Sequence, residues 1–264
     1  MTSPSLPFSN RTAVVTGGAN GIGRATAIRL ARGGAKVFVG DIHLLGENAE
    51  IFADLRIDQF TCDVRKDADV KMLIDAAVNQ TGRLDIVVNN AGIAMVKQIP
   101  DVTEEEWDRA LDINFKSVFL SSRHAIPHLK AAGGGSIVNV SSNAGLLPRA
   151  HDPVYSTSKG AMIALTKSLA LCHAKDRIRV NAVCPGPVGD TGMMNADLKK
   201  AADPAALAQM MIDASPLAKS FKRMISPDEV AQAVCYLASD AAAMVTGTSI
   251  AIDGGKSLGV PPKE

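Results

Sequence analysis

Cysteine is scarce in this sequence and badly placed for cross-linking. Cys62, Cys172, Cys184 and Cys235 lie far apart and no two form a C-x-x-C pair. Neither a disulfide framework nor a thiolate metal site is expected, and a reducing cytoplasm fits best. His124 and His128 share a helix face, but no Glu follows His124 and Pro127 intervenes, so no zinc pair is expected. An excess of one charge is also missing. Lys and Arg number 28 against 27 Asp and Glu, a net charge of +1, which leaves no electrostatic case for nucleic acid or an anionic membrane as partner. No run of ~18 apolar residues occurs, and MTSPSLPFSNR lacks a basic segment followed by an apolar one, so a soluble, unexported protein is expected. Repeats, linkers and charge blocks are absent, which leaves one domain over residues 1–264.

What is abundant is Val, Ile, Ala and Leu, in a chain 47% hydrophobic and only 4% aromatic with 22 glycines. Such a composition suits Val and Ile strands covered by Ala and Leu helices. Thr12 to Thr16 is a β-branched run that ends in GGANGIG and passes into RATAIRLARGG, an amphipathic helical pattern. Glycines at 17, 21 and 23 allow a tight turn and a close approach to a pyrophosphate, whose charge the helix N-terminus favours. Lys36 to Gly40 reads as the second parallel strand, with Asp41 at its carboxyl end, 18 residues after Gly23. A carboxylate there accepts hydrogen bonds from ribose hydroxyls and repels a 2'-phosphate, which argues for NAD over NADP; a helix cap is the alternative.

Further strands are predicted at Gln59–Val64, Leu84–Asn90, Ile137–Val140, Ile178–Val183 and Ser249–Ile252. Their alternation with helices predicts a doubly wound α/β Rossmann fold around a seven-stranded parallel sheet. Ligands of such sheets bind beyond the strand carboxyl ends, where Asp41, Asp63 and Asn90 fall. Residues 103–131 read as one long helix containing Asn114, whose amide either faces solvent or is used. Residues 190–225 read as a mobile helical flap, with Met193, Met194, Met210 and Met211 as an apolar lining, and 256–264 as an irregular tail.

The stretch Ser142 to Lys159 carries the proton-handling groups. Tyr155 and Lys159 are four apart, on one face of a helix that starts near Pro153. A phenol titrating near pH ~10 needs a cation to act as a base near neutrality, and a charge about 4 Å away supplies roughly the required 4 kcal/mol. Ser142 follows a strand, and the loop after it can return a hydroxyl to the same cleft. A Tyr-x-x-x-Lys pair alone is also common surface decoration, so the other motifs decide. Arg149 and His151, between them, either face an anionic or polyhydroxylated substrate or stand in solvent.

Together these residues resemble the short-chain dehydrogenase/reductase family, in its one-domain branch, from Thr12 to Gly255. Thr16-Gly17-Gly18-Ala19-Asn20-Gly21-Ile22-Gly23 fits its T-G-x-x-x-G-x-G turn, and Asn89-Asn90-Ala91-Gly92 its N-N-A-G. Ser142, Tyr155 and Lys159 keep its interval of 13 and its Y-x-x-x-K, and Pro185-Gly186 and Asp253-Gly254 match as well. The resemblance implies Tyr155 as acid/base, Lys159 lowering its pKa and holding the nicotinamide ribose, Ser142 orienting the substrate oxygen, and Asn114 holding a relay water. It implies that Asp63 and Val64 flank the adenine, and that Asn90, Gly92, Gly186 and Val188 line the cofactor cleft. Thr191 stands one position later than the family's threonine, with an extra residue near Gly189, so its contact with the nicotinamide amide is open. A homotetramer is implied too. The expected activity is NAD-dependent hydride exchange with a secondary alcohol or ketone; the alternative is a non-catalytic NAD-binding sensor or assembly module. Epimerase or dehydratase relatives need a longer substrate domain than 264 residues house.

Overall fold

The computed structural model describes residues 6–44 and 49–259. Seven strands form one parallel sheet: β1 (Thr12–Thr16), β2 (Lys36–Asp41), β3 (Asp58–Thr61), β4 (Ile86–Asn89), β5 (Gly135–Val140), β6 (Ile178–Pro185) and β7 (Ser249–Ile252). Their order is β3-β2-β1-β4-β5-β6-β7. The chain winds outward from β1 to β3, then returns to add β4 on the other side of β1. That reversal leaves a crevice beyond the carboxyl ends of β1 and β4, where Gly17 and Asn90 emerge. The helices are α1 (Gly21–Arg32), α2 (Ala49–Asp54), α3 (Asp67–Thr81), α4 (Glu104–Leu111), α5 (Ser117–Ala131), α6 (Asn143–Leu146), α7 (Pro153–His173), α8 (Gly192–Lys200), α9 (Pro204–Asp213), α10 (Pro216–Phe221) and α11 (Pro227–Ala238).

The strands read as continuous apolar runs because both faces are covered. Side chains still alternate. Ala13, Val15, Val37, Val39, Ile86, Val88 and Val138 join one core with Ala27, Leu30, Phe52, Val230, Val234 and Leu237 from α1, α2 and α11. Val14, Phe38, Val87 and Ile137 point the other way, onto Val70, Leu73, Ile74, Leu120 and Leu129 of α3 and α5.

Two sequence expectations change here. The single helix over 103–131 is interrupted by a π-helical turn at Asp112–Lys116, which holds Asn114. A capping box at Thr103 and Glu106 starts α4, as the T-E-E-E signature predicted. β3 ends at Thr61, short of Val64, because the Asp63 N–H turns away to the Asp69 carboxylate at 3.0 Å, ahead of α3. Helix α2 was not anticipated. Pro261 and Pro262 of the expected tail lie outside the described residues.

Candidate active site

The glycine turn after β1 is shaped by the fold itself. Gly17 has φ +64° and donates its N–H to the Gly40 carbonyl at 2.7 Å, holding the turn to β2. A Cβ on Gly23 would stand 2.2 Å from the Gly17 carbonyl oxygen, so α1 leaves the turn without room for a side chain. The Asn90 amide donates to the carbonyls of Thr16 (3.1 Å) and Gly17 (2.8 Å), tying the end of β4 to the same turn. The Asp41 carboxylate accepts the Ala19 N–H at 3.1 Å and the His43 N–H at 3.2 Å. Asn20 precedes α1 but does not cap it; its side-chain oxygen accepts the Gly192 N–H at 3.0 Å. The turn and the start of α8 are thereby latched together.

A cleft of about 580 Å³ runs from this turn across the strand ends. Gly17, Asn20, Gly21, Ile22, Asp41, Asp63, Val64, Asn90, Gly92, Ser142, Tyr155, Lys159, Gly186, Val188 and Thr191 all line it. Gly23 and Asn114 stand behind its wall. Arg65, which sequence reasoning missed, also lines it and grips Asp63 through both carboxylate oxygens, at 2.9 and 2.6 Å. The Arg65 hydrogen bonds hold the Asp63 carboxyl below its usual range.

In the other half of the cleft, Ser142 follows β5 and caps α6, accepting the Ala144 N–H at 3.1 Å. Tyr155 sits in the first turn of α7, with the Ser142 hydroxyl lining the same cleft. Gly145 lets α6 lie against α7, because a Cβ there would meet the Lys159 backbone at 2.8 Å. Lys159 is 3% exposed, and its ammonium donates to the Val140 carbonyl at 3.0 Å. Burial pulls that ammonium down to about 8. Burial also pushes the Tyr155 phenol above its ordinary value, against the Ser142 hydrogen bond and the Arg149 charge, which lower it. The sequence had given that lowering to Lys159. In the structure the Lys159 ammonium is 5.8 Å from the Tyr155 ring centroid and the Arg149 guanidinium 5.5 Å. Two cations therefore flank the ring.

The Asn114 side chain is fully engaged. Its oxygen accepts the Ile93 N–H at 2.8 Å and its amide donates to the Ile93 carbonyl at 3.0 Å and Ser158 Oγ at 3.2 Å. It clamps the loop after β4 to α7. Thr191 caps α8, accepting the Met194 N–H at 3.1 Å, and packs beside Gly21. Met193, Met194 and Met211 line the cleft, whereas Met210 is turned away and 57% exposed. Arg149 and His151 are on the wall as well, with Arg109 of α4 and Asp197 of α8. His124 pairs with Asp67 at 2.8 Å.

The donor set fits a nicotinamide dinucleotide. A buried ammonium with one acceptor among the described residues keeps N–H groups for ribose hydroxyls, the α1 N-terminus has no side-chain cap, and Asp41 faces the cleft.

The family model described as Enoyl-(Acyl carrier protein) reductase matches residues 17–257. The 4-formylbenzenesulfonate dehydrogenase of Comamonas testosteroni is 42% identical, over 96% of this chain and 100% of its own length. The cis-4-hydroxycyclohexanecarboxylate dehydrogenase of Sinomonas cyclohexanicum is 40% identical, over 94% of this chain and 97% of its own. Among solved structures, ligand-free aldohexose dehydrogenase of Thermoplasma acidophilum superposes with a TM-score of 0.89 at 34% identity, covering 98% of both chains. With the sheet order, the glycine turn and the Ser142, Tyr155 and Lys159 cluster already described, these similarities assign the chain to the short-chain dehydrogenase/reductase family, as an oxidoreductase acting on CH–OH groups.

Proposed function

We propose that the protein is an NAD(H)-dependent dehydrogenase/reductase of a small secondary alcohol or ketone, with Tyr155 as its acid/base. The observation that carries this reading is that Ser142, Tyr155 and Lys159 open onto the same cleft as the glycine turn and Asp41. When bound, NAD accepts hydride from the carbinol carbon. The chain's own residues do the rest. Ser142 donates a hydrogen bond to the substrate oxygen, and Tyr155 Oη takes the hydroxyl proton during oxidation and returns it during reduction. Burial disfavours the phenolate, and the Ser142 hydroxyl and the Arg149 charge work against that cost. Lys159 holds the ribose hydroxyls, and Asp41 selects against a 2'-phosphate. Asn114 acts from behind the wall by fixing the Ile93 backbone and Ser158, with Gly23 packing the turn.

Helices α8 to α10, with Met193, Met194 and Met211 facing inward, serve as the substrate flap. A homotetramer in a reducing cytoplasm completes the reading. It is supported by exposed apolar side chains on the long helices (Trp107, Phe119, Leu171) and near β7 (Leu217, Phe221, Leu258), and by four free cysteines. Sedimentation equilibrium at four times the chain mass is the expected result. The test of function is NADH oxidation with a ketone panel, in which binding without oxidation would favour a sensor.

A further inference from the structure

Arg149 is more firmly built into the cleft than an ordinary loop arginine. Its Nε donates to Asp152 Oδ1 at 3.3 Å and its Nη2 pairs with Asp152 Oδ2. The Arg149 N–H donates to Ser156 Oγ at 3.2 Å, and that hydroxyl donates to Asp152 Oδ1 at 3.0 Å. Asp152 is 1% exposed. It stands at the N-cap position of α7, where a carboxylate ordinarily takes helix N–H groups, yet it makes no side-chain cap bond. Its buried oxygens are spent on holding the guanidinium over the Tyr155 ring, 5.5 Å from the centroid. Burying a carboxylate for this purpose is costly, and the arrangement fixes an arginine that would otherwise be free to move.

A guanidinium has five N–H donors, and Asp152 occupies two. Those on Nη1 have no hydrogen-bond acceptor among the described residues, and Arg149 lines the cleft. Planar N–H donors of this kind match a carboxylate or sulfonate. Because the Arg149–Asp152 pair is neutral as a whole, an anion gains here from aimed donors more than from net charge. The other basic side chains of this end, Arg109 and His151, are exposed at its rim. Asp197 on α8 faces the cleft from the flap and disfavours an anion on that side, and Met193, Met194 and Met211 add apolar lining.

We infer that Arg149, braced by Asp152, is the substrate-binding residue that receives an acid group, so that the substrate is a compact apolar carbinol or ketone carrying a carboxylate or sulfonate. The guanidinium lies within about one ring's breadth of the tyrosine, so the acid and the reacting oxygen sit on the same small molecule, at opposite sides of a short apolar spacer. This rests on the oxidoreductase reading only for the identity of the reacting end.

The test measures calorimetric binding of cis-4-hydroxycyclohexanecarboxylate and its uncharged carboxamide to the wild type, to R149Q/D152N and to R149K, with NADH formation followed in parallel. The double variant removes both halves of the buried pair, so no unpaired charge is left inside; R149K keeps the charge and loses the fork. The wild type is expected to prefer the acid by about 10- to 100-fold, the worth of one charge-assisted hydrogen bond. That ratio should approach one in R149Q/D152N and fall between in R149K. An acid preference that persists in the double variant, acid and amide bound alike by the wild type, or no binding of the acid overturns the inference. If the acid binds through Arg149 without NADH formation, the anion site stands and the proposed reaction falls.

Discussion

Lys159 stands one helical turn beyond Tyr155, yet its ammonium donates to the Val140 carbonyl at 3.0 Å and lies 5.8 Å from the tyrosine ring centroid. The lysine is thus anchored to the carboxyl end of β5, and it lines the cleft. Burial without a carboxylate is expensive. Its folded pKa of about 8 lies below the ordinary 10.5, so the unfolded chain binds the proton more tightly. Stability therefore rises with pH from 8 to 10.5, and below pH 8 the full cost of about 3 kcal/mol applies.

Lys159→Met should accordingly melt higher than the wild type at pH 7. Loss of the Val140 hydrogen bond, roughly 1 kcal/mol, leaves a net gain of about 2 kcal/mol. The difference should close near pH ~10 and reverse above it, while NADH binding is weakened. Thermal melts across this range check it; a variant that melts lower at pH 7 contradicts it.

Asp41 holds the glycine turn through the Ala19 N–H and still faces the cleft. The wild type should bind NADH more tightly than NADPH, and Asp41→Ala should narrow the gap by about tenfold or more, with NADH weakened and NADPH strengthened. Fluorescence titration with both cofactors measures this. Arg65 is close by but occupied by Asp63, so its guanidinium is not expected to reverse the preference.

The hydrogen bond from Gly192 N–H to Asn20 Oδ1 joins the glycine turn to α8. Asn20→Ala should release the start of α8, raising the KM for NADH several-fold and speeding amide exchange at 192–200, with little change in Tm. Unchanged exchange in α8 would show that the latch does not hold it.

Asn114→Ala should leave the partly buried N–H and carbonyl of Ile93 without their side-chain partner. A loss of about 2 to 3 kcal/mol in urea unfolding is expected, together with a fall in kcat as the loop after β4 loosens. A fall in kcat without loss of stability would point to a direct part in proton transfer.

Much of this was legible in the sequence because the signals are local. β-branched runs ending in glycine or Asn-Asn, and a Tyr and Lys four apart on a helix, fix elements and faces without reference to the rest of the chain. The π-helical turn was not legible, since nothing in DINFK breaks an α-helical pattern; what draws Asn114 inward is the distant Ile93 backbone. The same holds for the brace on Arg149. Nothing in the sequence singles out Asp152, and only the folded loop shows that its carboxylate is spent on the guanidinium. Met210 was misassigned to the lining because four methionines in two short helices cannot all face one way.

The most direct test compares the wild type with Tyr155→Phe in NADH binding by fluorescence and in NADH consumption with an accepted ketone. Binding should agree within about twofold while turnover falls by about a thousandfold or more, the worth of a positioned proton donor. Turnover in the variant at the wild-type rate would contradict the account.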